Sequence, residues 1–204
     1  MQETNVIRSH VYGNNPRDLY AIEYGGKTVC IETPSLSALT DALGDDYIPQ
    51  DILADTIDNL ASAGKMEFTD EEKLTFAKEQ VKKAINTNDS MQGADCVNNF
   101  YFEYGGQKFP YWFNAYERTA LTSEATQWAK KYGSYRIDAR KYGVSFEIDC
   151  DTLLDWLGQL KDYAIKCYNK TTDHLLAVDA LTTFEEVIAY DYKSGYPANL
   201  EFKI

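Results

Sequence analysis

Two stretches of sequence decide the fold, YAIEYGGKTVCI at residues 20–31 and FYFEYGGQKFPYW at residues 100–112. In each, two runs rich in β-branched and aromatic residues flank a Gly-Gly pair. Glycine takes the positive φ angles of a tight hairpin turn without steric cost, so both stretches predict β-hairpins. The shared Glu-Tyr-Gly-Gly could also mark an ancient duplication or a phosphate-binding loop. Neither stretch has the Lys-Ser/Thr or GxGxxG spacing of a phosphate loop, which favours a structural turn.

Helical patterns follow the first hairpin. Thr33 with Pro34 can begin a helix that Gly44 ends, and Gly64 can end the next helix. Thr69 and Glu72 fit a capping box, in which side chains satisfy backbone donors at a helix start. Three helices are therefore predicted, over residues 33–44, 50–63 and 69–85.

A polar, turn-forming stretch at residues 86–93 is the best linker candidate. We place the domain boundary there, with an acidic module at 1–87 and a second module at 88–204. Residues 41–73 hold ten acidic and two basic side chains. This window indicates either a docking face for a basic partner or a solvated helix surface.

The second module continues with helical and alternating patterns. Apolar residues of the last long pattern recur every three or four positions from Leu153 to Val178, so they form one nearly continuous seam. A seam of that length needs a partner, either within the chain or from a neighbouring subunit. The predicted elements are a helix at 115–132, strands at 135–139 and 144–148, a helix at 151–181, and a short helix from 182 that ends at 195–197 before the tail at 200–204.

These patterns predict an α+β fold of two β-hairpin-plus-helix modules. In the second module, two hairpins are expected to pack on one long helix.

Composition limits the classes of partner. The formal net charge is −12, so an exposed phosphate backbone would be repelled, and no nucleic-acid partner is predicted. Four widely spaced cysteines without a CxxC motif suggest reduced thiols rather than a disulfide framework or zinc site. No apolar run reaches the length of a membrane span and no basic-then-apolar leader opens the sequence, so neither insertion nor export is predicted.

Candidates for chemistry are few. The only histidines are His10 and His174, and His174 lies about two helical turns from Cys167, too far for a catalytic pair. Adjacent carboxylates such as those at 185–186 point in different directions on a helix. The densest acidic cluster, at 149–155, lacks the spacing of a calcium loop and fits helix capping instead. We therefore predict no catalytic residues, no metal site and no cofactor.

Sixteen tyrosines are a high number for 204 residues. Tyrosine combines a large apolar face with a hydroxyl group that stays hydrated, which suits protein interfaces, although a sheet-containing fold also uses tyrosine well. The tyrosines near the C-terminus can fold back on the long helix, because the Gly-Tyr-Pro that includes Tyr196 fixes a chain reversal. The candidate interface residues are Tyr190, Tyr192, Tyr196, Trp112 and Tyr111.

The C-terminal half resembles a known family. The string Ala-Tyr-Asp-Tyr-x-x-Gly-Tyr-Pro at residues 189–197 is its most specific part. With these residues, the chain resembles an uncharacterised domain family at the C-terminal end of tail-associated and other virion-linked proteins of phages and prophages. Coverage is about residues 88–204, and residues 1–87 are not included. The other matching positions are 163–164, 167–171, 174, 177, 180–181 and 185–187, with weaker similarity at 88–100 and 112–118.

The resemblance implies that the protein belongs to a phage particle, and it implies no enzymatic activity. It leads us to expect a non-enzymatic virion structural or adaptor protein, synthesised in the bacterial host cytoplasm. The tail is the favoured place in the particle, and the neck and the capsid are the alternatives. Expected partners are other phage structural proteins and further copies of the chain in a homo-oligomer. One alternative is an assembly chaperone that is absent from the mature particle. Another is a small phage enzyme, which would need clustered carboxylates or a Cys-His pair in a cleft.

Overall fold

The computed structural model describes residues 4–12, 16–89 and 96–204. It confirms the α+β class, with six α-helices and three small sheets among the described residues. Two short 3-10 helices cover Gln50–Ile52 and Arg140–Tyr142. The helices are α1 (Leu36–Leu43), α2 (Leu53–Gly64), α3 (Asp70–Asn88), α4 (Ala115–Ala129), α5 (Cys150–Ala180) and α6 (Phe184–Ile188). The strands are β1 (Thr4–Val11), β2 (Arg17–Tyr24), β3 (Lys27–Ile31), β4 (Phe100–Tyr104), β5 (Gln107–Tyr111), β6 (Ser134–Ala139), β7 (Val144–Asp149) and β8 (Glu201–Lys203).

Both Gly-Gly hairpins are confirmed. Strands β2 and β3 pair antiparallel around Gly25 and Gly26, and β4 and β5 pair in the same way around Gly105 and Gly106. All four glycines have positive φ angles, between 52° and 78°. Side chains with a Cβ atom resist this region, so the two turns depend on glycine.

The chain forms two compact units, and each combines separate segments of sequence. The first contains residues 1–86 and 173–192, and the second contains 87–172 and 193–204. The expected division into 1–87 and 88–204 differs from this at the C-terminal end. The reason is packing, because Val178, Val187 and Tyr192 are buried in the core of the first unit.

The first unit has its core between a three-stranded antiparallel sheet, β1-β2-β3, and the helices α1, α2 and α3. Ile22, Leu39 and Leu60 are fully buried in it. Gln50 also joins the C-terminal segment to this unit, since its side-chain amide donates to the carbonyl groups of Val187 and Tyr190. Hydrophobic burial and these two hydrogen bonds explain why residues from the end of the sequence belong here.

The second unit has an aromatic core. The hairpins β4-β5 and β6-β7 share this core with α5, as the sequence predicted, through Phe102, Phe146 and Leu157. The tail at 200–204 contributes β8, which pairs parallel with β4 and places Phe202 beside Phe100 with 5.8 Å between ring centroids. The α5 seam is thus buried by the chain's own residues.

Several expected helix ends are wrong by a few residues. Ser35 caps α1 instead of Thr33, because its hydroxyl accepts a hydrogen bond from the backbone N–H of Ala38 at 3.1 Å. The capping box of Thr69 and Glu72 is confirmed at α3. Helix α6 ends at Ile188, well before the Gly-Tyr-Pro turn.

The expected linker at 86–93 is only partly described. Helix α3 continues through Asn88, so residues 86–88 are helical rather than a turn. Residues 90–93 lie outside the described residues. Polar side chains are compatible with a helix when they face solvent, and the apolar pattern alone could not show that the helix continues.

Gly64 has a different role from the one expected. The left-handed residue that ends α2 is Lys65, with φ 53°, whereas Gly64 is the last helical residue. A Cβ atom on Gly64 would lie 2.8 Å from the Cβ atom of Pro34. Glycine is therefore required here for close packing between α2 and the segment before α1.

Replacing Gly64 by alanine should destabilise the protein by about 1–3 kcal/mol, because the new methyl group overlaps the Pro34 ring. Gly158→Ala in α5 is the matched control, since nothing lies within 4 Å of a Cβ atom there. It should raise the free energy of unfolding by about 0.5–1 kcal/mol through helix propensity. Urea denaturation measures both changes. Equal effects of the two substitutions would contradict the packing role of Gly64.

Candidate protein-binding surface

The first unit carries the whole net negative charge of the protein, and the second unit is neutral overall. The first unit has 20 acidic and 8 basic residues, a net charge of −12, whereas the second unit has 12 of each. The field of a folded unit attracts partners of opposite charge and raises their association rate. The first unit is thus the part of the chain that would attract a basic partner.

Two clefts of the first unit adjoin the beginning of α3. The larger has a volume of about 550 Å³, and Ile57, Leu74 and Phe184 supply apolar side chains to its wall. Among the described residues that line it, Lys73 is the only basic one. Four carboxylates line the same cleft, namely Asp58, Asp70, Glu71 and Glu185.

The smaller cleft, of about 380 Å³, shares Glu71 with the larger one. No basic side chain is among the described residues that line it. Together the two clefts present seven carboxylates, which we call the acidic surface: Asp41, Asp58, Asp70, Glu71, Glu72, Glu79 and Glu185.

Helix starts explain four of the seven carboxylates. Asp70, Glu71 and Glu72 occupy the first turn of α3, and Glu185 occupies the first turn of α6. Negative charge is favourable there because it faces the positive end of the helix dipole. Hydrogen bonds from the backbone and hydroxyl of Thr69 lower the pKa of Glu72. These four residues therefore stabilise the fold whether or not a partner binds.

The other three, Asp41, Asp58 and Glu79, have no such structural role. Asp58 and Glu79 lie in the middle of α2 and α3, and Asp41 lies in the last turn of α1, where the helix dipole disfavours a carboxylate. All three are exposed. Within the described ranges, none of them forms an ion pair with a basic side chain. They are the residues of the acidic surface most available to a partner.

The larger cleft meets one condition of the enzyme interpretation, because it clusters carboxylates. A carboxyl group that acts as a general acid is usually shielded from water, which keeps its proton. Asp58, Asp70, Glu71 and Glu185 are all exposed. The cleft is better suited to recognition of positive charge than to acid–base chemistry.

The thiols and the C-terminal histidine also have structural surroundings. Burial raises the pKa of Cys167 to about 11 and also raises the pKa of Cys96. A thiol with a raised pKa stays protonated at neutral pH and is a poor nucleophile. His174, only 2% exposed, has Nδ1 within 2.7 Å of the hydroxyl group of Tyr190.

In the acidic cluster at 149–155, Asp149 caps α5, as the sequence suggested, and Asp151 lies in the first helical turn. Asp155 lies beyond the cap and accepts a hydrogen bond from the side-chain amide of Gln159 at 2.7 Å. A carboxylate oxygen of Asp149 accepts hydrogen bonds from the backbone N–H groups of Asp151 and Thr152, at 2.9 and 3.0 Å. Across residues 4–12, 16–89 and 96–204, no three His, Cys, Asp or Glu side chains are arranged to hold a metal ion. No helix in the described part of the chain is both long and apolar enough to cross a membrane.

The structure places the five candidate interface residues in different surroundings. Tyr192 is 9% exposed in the core of the first unit, and Tyr190 of the same unit is half-buried against His174. In the second unit, the hydroxyl group of Tyr196 lies 3.0 Å from that of Thr171. Packing inside each unit thus buries much of the surface of these three tyrosines.

The hairpin residues of that set also lie in the second unit. Tyr111 packs on Phe100 and Phe113, with ring centroids 5.9 and 5.2 Å away, and Trp112 is half-buried beside it. Tyr111 is therefore part of the aromatic core. Trp112 keeps part of its surface accessible.

No family model, curated protein or solved structure matches the chain. The resemblance of residues 88–204 to a phage domain family stays a prediction.

The second unit exposes other aromatic side chains, which the sequence reasoning did not select. Trp128 packs on Tyr132 and Tyr135, with ring centroids 4.8 and 5.5 Å away, and the Lys131 ammonium group lies 4.8 Å from the centre of the Tyr132 ring. Tyr116, at the start of α4, is 82% exposed. For Tyr116 and Trp128, which lie in α4, the weak amphipathic pattern of that helix was the available sign that they face solvent.

Burial predicts how the thiols react. Cys30 is exposed, whereas the other three thiols are buried. A thiol-specific chromogenic reagent at neutral pH should modify Cys30 alone in the folded protein and all four thiols after denaturation. Mass spectrometry of the modified protein counts and locates the labels. Rapid labelling of Cys96 or Cys167 under native conditions would contradict the packing described here.

Proposed function

We propose that this chain is a non-enzymatic structural or adaptor protein of a tailed bacteriophage particle, tail-associated, which binds other particle proteins and also itself. The phage setting comes from the resemblance of residues 88–204. The binding role comes from the surface chemistry of the first unit.

The observation that carries the binding role is the set of exposed carboxylates Asp41, Asp58 and Glu79. Exposed acids that form no ion pair repel one another and leave a folded protein less stable than it could be. Residues of this kind are typical of sites that serve a partner. The partner's chemistry follows from charge complementarity, so a segment rich in Lys and Arg is expected to lie across the two clefts.

The apolar wall of the larger cleft adds to this interpretation. Ile57, Leu74 and Phe184 lie beside the carboxylates, so the aliphatic stems of bound lysine or arginine side chains can pack there while their charged ends reach the acids. Such a contact combines hydrophobic burial with electrostatic steering. The protonated thiols and the solvated carboxylates favour a binding role over a catalytic one.

Quantitative mass spectrometry of purified phage particles tests the proposal. A structural or adaptor protein should be present in a fixed ratio to the other particle proteins. An assembly chaperone could use the same acidic surface, but it would be found in the infected cell and not in the particle. Absence from particles despite intracellular expression would overturn the structural role.

A further inference from the structure

The outer edge of the first unit's sheet is open. Strand β1 is eight residues long and lies at the end of the order β1-β2-β3, so β2 is its only strand neighbour among the described residues. Residues 7–11 are all exposed. Contacts from α2 reach the beginning of β1, where Asn59 donates to the carbonyl group of Thr4. No such contact from the described residues covers the edge from Ile7 to Val11.

Natural edge strands usually carry features that prevent pairing with another strand, such as lysine, proline or a short length. The sequence TNVIRSHV of β1 has neither lysine nor proline. Its two basic side chains, Arg8 and His10, both contact Asp18 on β2, at 2.6 and 3.0 Å. These charges are thus held against the neighbouring strand, and the open edge lacks a repelling group.

The exposed apolar residues of β1 suggest what covers the edge. Ile7 and Val11 are 43% and 39% exposed and lie on the same face of the strand, because alternate side chains share a face. When two copies of β1 pair antiparallel around Ser9, Ile7 of each copy stands opposite Val11 of the other. Cross-strand pairs of β-branched residues stabilise a sheet.

We propose that two copies of this chain associate through antiparallel pairing of their β1 strands, centred on Ser9, which joins the two sheets into one of six strands. This inference rests on the proposed function in one respect, namely that the chain associates with itself. It adds the location of that contact, which is strand β1. The occupant is a second copy because it supplies an edge of matching length on which Ile7 meets Val11, and because Asp18 balances the charge of Arg8 beside that edge.

The charge of the first unit gives this contact a distinct salt dependence. In a dimer, the first units of the two copies each carry a net charge of −12 and repel each other, and salt screens that repulsion. Self-association should therefore strengthen as ionic strength rises, whereas binding of a basic partner to the acidic surface should weaken.

Sedimentation equilibrium of the full chain at about 50 mM and about 500 mM NaCl measures the association. Ile7→Lys should raise the dimer dissociation constant at least about tenfold, because it places a charge opposite Val11 of the other copy. Adding Val11→Glu to the same chain should bring the constant back to within about threefold of the original. Each lysine at position 7 then faces a glutamate, but only in the register centred on Ser9.

Ile165→Lys is the matched control, since Ile165 is an exposed isoleucine of the second unit, 49% accessible. It should leave the dissociation constant unchanged. Circular dichroism checks that each variant is folded. A chain that stays monomeric at both salt concentrations, an Ile7→Lys variant that associates normally, or a double variant without recovery would overturn the inference. A chain that stays monomeric would also remove self-association from the proposed function, whereas failure of the Ile7→Lys or double variant alone would move that contact to another surface. Presence of the chain in particles and its binding of a basic partner are measured independently of all three results.

Discussion

Neutralising Asp41, Asp58 and Glu79 together, as D41N/D58N/E79Q, should weaken the binding of an oligolysine peptide at least about tenfold at low salt. The three carboxylates are exposed and form no ion pair among the described residues, so they contribute to the attraction of positive charge without being needed for the fold. Fluorescence anisotropy of a labelled peptide measures the affinity. The same variant should be as stable as the original or slightly more stable, by up to about 1 kcal/mol, because Asp41 opposes the dipole of α1.

The matched control removes three exposed acids from the second unit, as E147Q/D155N/D162N. The change in total charge is identical, but these residues lie outside the acidic surface. Oligolysine affinity should stay within about twofold of the original. If both triple variants lose affinity equally, net charge alone attracts the peptide and the acidic surface is not a site.

Phe102→Ala should destabilise the second unit by about 3–5 kcal/mol. Phe102 is 3% exposed, and its ring packs on Phe109 and Phe146 with centroids 5.1 and 5.5 Å away. Removing the ring leaves a cavity in an aromatic core and eliminates several ring contacts at once. Urea denaturation followed by tryptophan fluorescence measures the loss, and the variant should unfold at a much lower urea concentration.

Tyr116→Ala provides the comparison, since Tyr116 is 82% exposed. Its removal should change the free energy of unfolding by less than about 0.5 kcal/mol. A small effect of Phe102→Ala, or an equal effect of both substitutions, would contradict the assignment of Phe102 to the core of the second unit.

The sequence predicted those structural elements that depend on residues close together along the chain. The Gly-Gly turns, the capping box at Thr69 and the apolar seam of α5 each depend on residues close together along the chain. Strand β8 could not be found in this way, because its parallel pairing with β4 joins residues about 100 positions apart. The tail pattern alone contains no information about which strand it meets.

The acidic surface shows the same limit. The run of acids at residues 41–73 was visible in the sequence, but Glu79 and Glu185 lie outside it. Glu79 joins the surface through the cleft lined by α1 and α3, and Glu185 through the cleft lined by α2, α3 and α6. Tyr192 shows the reverse case. An aromatic residue in a polar C-terminal segment suggested an interface, whereas its burial depends on the core of the first unit.

The central claim is that the chain binds another particle protein through the acidic surface of its first unit. Lysine-specific cross-linking of purified particles, read by mass spectrometry, tests this directly, because Lys73 lines the larger cleft. The account predicts cross-links from Lys73 to a lysine-rich segment of another particle protein. The account would be contradicted if Lys73 formed no cross-link to any other protein and all such cross-links came from lysines of the second unit.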